Sequence, residues 1–163
     1  MNVSNKQLVD TGFIDQVRNV LSRTGLSPSS LKLEITESFM VEDAKIEKVF
    51  ADLKEMNVQI HIDDFGTGYS SLSYINKFPV SALKIDRSFI AKIGAQGEDS
   101  EIVKAIVNLA DNLKMDVIAE GVEKNEHLSL LKALKCKYVQ GYLFSHPLNS
   151  KEAAKLLVQN TVS

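Results

Sequence analysis

The most informative stretch of the chain is VQIHIDDFGTG, residues 58–68. Its first half is apolar and rich in β-branched side chains, which is typical of a strand that is buried on both faces. Two carboxylates, Asp63 and Asp64, follow this strand directly, and a glycine-rich turn follows them. The segment therefore predicts a buried strand that ends in acidic side chains.

Five further stretches of strand character surround this one, at 2–4, 31–35, 82–85, 117–119 and 138–139. Helical patterns lie between them, because apolar residues recur at helical spacing, as at Ile46, Phe50 and Leu53. This alternation predicts right-handed crossovers and a mainly parallel sheet, and hence an α/β fold. Two architectures compete. An open doubly wound sheet suits the length, whereas a (β/α)₈ barrel typically has about 250 residues.

The composition is that of an ordinary globular chain. Apolar residues make up 44% and charged residues 25% of the 163 residues, and the formal charge is -2. Without a basic excess, we expect neither a nucleic-acid polymer nor direct membrane contact. The single cysteine, Cys136, excludes an internal disulfide, and the N-terminus has no signal-peptide pattern. We therefore expect one domain, residues 1–163, in the cytoplasm.

Polar residues occur in or close strand after strand, although a buried sheet disfavours them. The set comprises Asn2, Glu34, Asp63, Asp64, Lys84, Glu120 and Gln140. The carboxyl ends of parallel strands meet at one edge, which holds the active site in barrels and the ligand crevice in open sheets. We therefore expect these side chains to lie together at that edge.

The acids and the amide offer oxygen atoms only, which hard divalent cations such as Mg²⁺ or Mn²⁺ prefer as ligands. Two such ions would clamp a phosphodiester, while Lys84 neutralises charge or orients water and Glu120 acts as a base or a ligand. Each acid taken singly fits a helix cap or a surface ion pair equally well, and Asp63 with Asp64 fits a simple turn. The three histidines lack ligand-like spacing and are interpreted as structural.

At these residues the sequence resembles the EAL-domain family, the cyclic di-GMP phosphodiesterases of bacterial signalling. Six motifs in order carry the resemblance: NVS at 2–4, LKLEITES at 31–38, DDFGTGYSSL at 63–72, LKIDRSF at 83–89, AEGVE at 119–123 and QGYLFSHPL at 140–148. The resemblance implies a TIM-type (β/α)₈ barrel whose first strand runs against the others. It also implies hydrolysis of cyclic di-GMP to the linear dinucleotide with Mg²⁺ or Mn²⁺.

The resemblance assigns metal binding to Asn2, Glu34 and Asp63, and it places Asp64 beside the second metal ion. It also implies that Glu37 anchors the loop after the acidic pair. That loop would comprise residues 65–70, complete the metal site and influence dimerisation.

The remaining assignments from the resemblance concern the reaction itself. Lys84 and Glu120 would activate the attacking water, and Gln140 would belong to the same site. Asp86 and Arg87 would lie near the place where the family holds its substrate.

The sequence departs from the family pattern in one respect. The Glu-Ala-Leu motif that names the family, and whose Glu binds metal, does not occur in the chain, which starts at the strand that carries Asn2. We therefore expect a partial domain, an incomplete barrel of about six βα units. Its unpaired strand edges would favour homo-oligomers, and its phosphodiesterase activity would be impaired or absent.

Two alternatives to an active phosphodiesterase remain open. The chain could bind cyclic di-GMP, or only mediate association, without turnover. Titration with cyclic di-GMP in the presence of Ca²⁺ distinguishes binding from pure association. A lysine in a barrel strand, as at Lys84, is also the nucleophile of Schiff-base aldolases, for which borohydride trapping is the test.

Overall fold

The computed structural model describes residues 1–37, 43–68, 75, 77–94 and 98–160. The last part of the loop 65–70 lies outside the described residues. Within the described ranges, strands and helices follow one another along the chain, with two helices in succession before the first strand and between the third and fourth strands.

The strands are β1 Lys32–Thr36, β2 Gln59–Phe65, β3 Ala82–Ile85, β4 Asp116–Glu120 and β5 Tyr138–Gln140. The helices are α1 Asn5–Leu8, α2 Phe13–Thr24, α3 Ala44–Glu55, α4 Arg87–Ala91, α5 Glu98–Asn112, α6 Asn125–Ala133 and α7 Ser150–Asn160. A short 3₁₀ helix, Pro28–Ser30, precedes β1. No helix in the described part of the chain combines the length and the apolar character that crossing a membrane requires.

The five strands form one parallel sheet in the order β1-β2-β3-β4-β5. A doubly wound sheet reverses its strand order at a switch point, whereas a barrel adds each new strand on the same side of the last. The observed order is therefore that of a barrel. The α/β class and the incomplete-barrel architecture expected from the sequence are confirmed.

The strand expected at residues 2–4 is only an isolated bridge between Asn2 and Glu34. Two hydrogen bonds form it: Val3 N–H donates to Glu34 O, and Glu34 N–H donates to Met1 O, both at 2.9 Å. Ser4 caps helix α1 through a capping box with Gln7, so the backbone leaves the extended conformation after three residues. The expectation of six strands is thus wrong by one within the described residues.

The two faces of the sheet differ in character because side chains alternate along a strand. The outer face is apolar and packs into the core with the helices, as shown by Leu33, Ile62 and Leu83, which are each fully buried. The inner face carries the polar residues. The strand register pairs Glu34 with His61 and Glu120 with Gln140, which brings the predicted site residues onto this one face.

Candidate active site

Lys84 lies at the centre of the inner face and contacts three carboxylates from three other strands. Its Nζ is 2.8 Å from Asp63 Oδ1, 2.8 Å from Glu120 Oε1 and 3.1 Å from Glu34 Oε1. The lysine side chain is 6% exposed, and the three acids are 17–24% exposed. The group therefore has one side against the sheet and one side open to a ligand.

This arrangement keeps Lys84 charged. Burial alone would lower the pKa of Lys84, but hydrogen bonds to Asp63, Glu120 and Glu34 raise it above its usual value. A permanently charged ammonium can donate hydrogen bonds and neutralise charge, but it does not act as a base. It is also a poor nucleophile for Schiff-base formation, because that reaction requires the neutral amine. The geometry thus argues against the aldolase alternative.

A β-bulge explains how two consecutive acids reach the same site. The register between β2 and β3 shifts between Ile62 and Phe65, and Asp64 has a φ of 53°, in the left-handed region. Successive residues in a regular strand point to opposite faces, so the bulge is what allows both carboxylates to face one way. Partial burial and the neighbouring Asp63 raise the pKa of Asp64.

The acidic residues fit a divalent cation. One ligand atom each from Asp63, Asp64 and Glu120 lie within 4.8 Å of one another. Asp63 Oδ1 is also buried, and Lys84 Nζ lies 2.8 Å from it. Hard cations prefer such carboxylate oxygens. Glu34 lies on the other side of Lys84, and Asn2 is exposed beside it in the bridge.

Glu37 lies just beyond β1 and contacts the turn that follows the acidic pair. Its Oε2 accepts hydrogen bonds from Gly66 N–H at 2.9 Å and from Gly68 N–H at 3.2 Å, and the residue is 6% exposed. A Cβ on Gly68 would stand 3.3 Å from this carboxylate, so a glycine allows the close approach. This geometry accords with the anchoring role that the resemblance assigns to Glu37.

A cavity of about 460 Å³ adjoins the acidic group and shares Glu120 and Gln140 with it. Arg87 lines the cavity, and so do two aromatic rings, those of Tyr142 and His146. The two rings stack with their centroids 4.2 Å apart and their planes at 30°. The cavity thus offers a cation and an exposed aromatic surface within reach of the carboxylates.

A glycine at the end of β4 makes the approach of Arg87 possible. A Cβ on Gly121 would lie 2.5 Å from Arg87 Cβ, and the φ of this glycine is 70°. Any larger residue would have to displace the arginine from the cavity wall.

Asp86 has a role in the fold that the sequence reasoning did not foresee. It is the N-cap of α4, and its carboxylate accepts a hydrogen bond from Ser88 N–H at 2.9 Å. Burial alone would raise its pKa, but the hydrogen bonds from Ser88 and Arg87 hold it below the usual value. Asp86 directly precedes Arg87, which lines the cavity, and this position is compatible with the predicted location near substrate.

The sequence reasoning missed Tyr142 and His146. His146 is interpreted above as structural, yet it is exposed and lines the cavity, whereas His61 and His127 are buried as a structural interpretation requires. Burial and nearby Lys32 lower the pKa of His61 and so favour its neutral form. The signal that could have found the ring pair is the spacing of four residues inside QGYLFSHPL.

Comparison with known families gives a match over most of the chain. The model described as "EAL domain" matches residues 1–147. The cyclic di-GMP phosphodiesterase NbdA of Pseudomonas aeruginosa is 44% identical over 149 residues, which are 91% of this chain and 19% of NbdA. The chain therefore spans about a fifth of the length of this relative.

Solved structures of related proteins have the same fold. The MucR phosphodiesterase of Pseudomonas aeruginosa in complex with c-di-GMP superposes with a TM-score of 0.88 and 43% identity, over 93% of this chain and 62% of that one. The manganese and cy-diGMP complex of Klebsiella pneumoniae BlrP1 gives a TM-score of 0.83 and 30% identity, over 90% of this chain and 38% of that one.

Proposed function

The chain belongs to the EAL domain family, and on this premise we propose that residues 1–163 are part of a cyclic di-GMP phosphodiesterase domain that carries its acidic site. The observation that carries the proposal is the convergence of Asp63, Glu120 and Glu34 on Lys84, beside a cavity with a cation and a ring pair. Two relatives whose names or titles state this activity or ligand support it.

The carboxylates are proposed to hold the metal ions. Asp63 and Asp64, with Glu34 and the amide oxygen of Asn2, would bind Mg²⁺ or Mn²⁺, as the oxygen-only donor set favours. When bound, the ions would lower the pKa of water and stabilise the charge of the phosphodiester. The manganese complex of a relative supports a divalent ion in this fold.

The other residues would bind and orient the reactants. Lys84 would donate a hydrogen bond to the attacking water and stabilise the negative charge that develops on the phosphate, since its own proton is firmly held. A carboxylate, Glu120, would accept the proton of that water. Water adds to phosphorus, the bond from phosphorus to one ribose oxygen breaks, and that oxygen takes up the proton that Glu120 accepted, which opens the ring to the linear dinucleotide.

The cavity beside the acids would hold the rest of the substrate. Arg87 would pair with a phosphate, and Asp86 would fix the start of the helix that carries it. A planar guanine base fits against the exposed Tyr142–His146 pair, and Gln140 would bind polar edges of the ligand.

We further propose a cytoplasmic location and self-association through the open edge of the barrel. The single cysteine supports the first. Large apolar side chains exposed near the C-terminal end support the second. For the 163-residue chain tested by itself, we expect turnover to be slow, because the acids lie on a face that is open to solvent. Binding without turnover is then the second candidate function.

Two measurements on the purified chain test the proposal. Isothermal titration with cyclic di-GMP in Ca²⁺ reports binding, and chromatography after incubation with Mn²⁺ or Mg²⁺ reports the linear dinucleotide. We expect measurable binding and slow hydrolysis that Glu120→Gln removes. Glu101→Gln, an exposed acid on α5, is the matched control and should leave both unchanged.

The outcomes separate the candidates. Hydrolysis that Glu120→Gln abolishes supports the enzyme. Binding without any product in either metal supports the non-catalytic module. A chain that folds but neither binds nor hydrolyses cyclic di-GMP would contradict the proposed function.

A further inference from the structure

Residues 121–123 form one wall of the cavity and connect β4 to α6. This wall segment begins directly after Glu120, and both Gly121 and Glu123 line the cavity. Its middle residue is held from the β5 side, because Val122 N–H donates to Gln140 O and Leu143 N–H donates to Val122 O, both at 3.0 Å. The position of the wall segment therefore determines where Glu120 lies relative to the rest of the cavity lining.

His127 holds the other end of the wall segment. It is 2% exposed, and its Nδ1 accepts a hydrogen bond from Glu123 N–H at 3.4 Å. Lys124, the N-cap residue of α6, makes no side-chain capping bond. His127 is the third residue of that helix, the position whose side chain accepts from the N-cap N–H in a capping box. Here the donor is instead the N–H of Glu123, the residue before the N-cap.

The second ring nitrogen of His127, Nε2, helps to identify which property of the side chain matters at this position. Because Nδ1 accepts, the neutral ring carries its proton on Nε2. Nε2 is buried and has no hydrogen-bond partner among the described residues. An unmatched buried donor is unfavourable, and an apolar side chain would pack here without that cost. The Nδ1 acceptor is thus what distinguishes histidine from leucine or methionine at residue 127.

We propose that His127 is a positioning residue that fixes the cavity wall by accepting the Glu123 N–H, and so sets the affinity of the site for its ligand. The inference rests on the proposed function for the identity of the ligand, cyclic di-GMP. It goes beyond that function because His127 lines no part of the cavity described above and acts through the backbone of Glu123.

The test uses the full 163-residue chain with two kinds of variant. His127→Met and His127→Leu remove the acceptor, and His127→Gln retains one. Leu131→Ala, one turn further along the same helix and fully buried, is the control that destabilises α6 without touching the acceptor. Hydrogen exchange of the Glu123 amide and titration with cyclic di-GMP in Ca²⁺ are measured on each, together with the thermal midpoint.

We expect the acceptor-free variants to exchange the Glu123 amide about tenfold faster and to bind cyclic di-GMP about tenfold more weakly. His127→Gln should stay close to the wild-type chain in both. Leu131→Ala should lower the thermal midpoint while leaving the affinity nearly unchanged. If one acceptor-free variant does not fold, the other is compared with His127→Gln.

Two results would overturn the inference. One is an acceptor-free variant that leaves both the Glu123 amide and the affinity unchanged. The other is an affinity that follows the thermal midpoint, so that Leu131→Ala weakens binding as much as His127→Met does. A wild-type chain that does not bind cyclic di-GMP would speak against the proposed function instead, and the Glu123 amide would still decide whether His127 positions the wall.

Discussion

Lys84 forms ion pairs with three acids at once. The three carboxylates share this one ammonium, so a single positive charge stands against three negative charges. Carboxylates at such distances repel one another unless a cation intervenes. The lysine therefore offsets part of this repulsion, and a divalent ion would strengthen the same effect.

Replacing Lys84 tests this balance. Lys84→Met should lower the free energy of unfolding by about 2 kcal/mol in EDTA, because the acids lose their counter-charge in a partly buried site. Mn²⁺ should stabilise the variant more than the wild-type chain, as measured by urea denaturation. Lys77→Met removes an exposed ion pair with Glu47 and serves as the control. An equal loss in both variants would contradict the role of Lys84.

Glu37 is the second residue whose effect can be measured directly. Glu37→Ala should remove the acceptor of Gly66 N–H and Gly68 N–H and lower their protection from hydrogen exchange by about 2 kcal/mol. Glu37→Gln should lose less, because its amide oxygen can still accept. Glu55→Ala, an exposed acid at the end of α3, is the control. Unchanged exchange at both glycines would exclude an anchoring role for Glu37.

Among the elements, β2 and α4 are the ones that shape the site. β2 interrupts its regular pairing by a bulge at the acidic pair, and α4 begins at Arg87, with its N-cap Asp86 directly after the strand that carries Lys84. A single turn of helix thus presents Arg87 to the cavity. The N-cap hydrogen bond of Asp86 stabilises this start.

The cap leads to a pH-dependent prediction. Asp86→Ala should lower the free energy of unfolding by about 1 kcal/mol, whereas Asp86→Asn retains a capping oxygen and should lose less. The pKa of Asp86 is lower in the folded chain than its usual 3.8. Its charge therefore stabilises the fold above that value, and the stabilisation is lost as the pH falls through the folded-state pKa.

The measurement is urea denaturation of the three proteins at about pH 6 and about pH 3. The advantage of the wild-type chain over Asp86→Asn should shrink at the lower pH. An advantage that grows on acidification would show that the Asp86 carboxylate is not the stabilised form.

At the scale of the whole molecule, the main feature is that the two faces of the sheet are covered differently. Helices cover the outer face, while the inner face keeps partly exposed polar side chains. Exposed large apolar residues also occur towards the C-terminal end, with Tyr142, Phe144 and Leu157 exposed by 56%, 52% and 68%. Surfaces of this kind favour association.

Self-association is tested by light scattering over a range of protein concentrations. We expect the apparent mass to rise with concentration, and the double variant Phe144→Ser with Leu157→Ser to reduce the rise. Val20→Ser with Leu26→Ser, two residues exposed by 55% and 47% near the N-terminal part of the chain, is the matched control. A monodisperse monomer at every concentration, with cooperative unfolding by calorimetry, would contradict the expectation.

Much of the fold was predictable because its signals are local. The strand at Ala82–Ile85 agrees with the structure at both ends, and the other four strands differ by one to three residues at their ends. The exception is the bridge at Asn2, where the Ser4 cap of α1 ends the extended backbone. The recurrence of polar residues in or at the ends of the strands also predicted that Glu34, Asp63, Lys84 and Glu120 would lie together at one edge.

The sequence by itself determined the element types, their order and the chemistry of the strand ends, because these depend on side-chain periodicity within short windows. Periodicity left the choice between an open sheet and a barrel open, and only the resemblance favoured the barrel. The strand order in the tertiary structure, which is a property of the crossovers, confirmed it. The tertiary structure alone decided that Asp63 and Asp64 face one way through a bulge, and that Tyr142 and His146 stack beside Arg87. Such contacts join residues far apart in sequence or depend on backbone angles that no short window specifies.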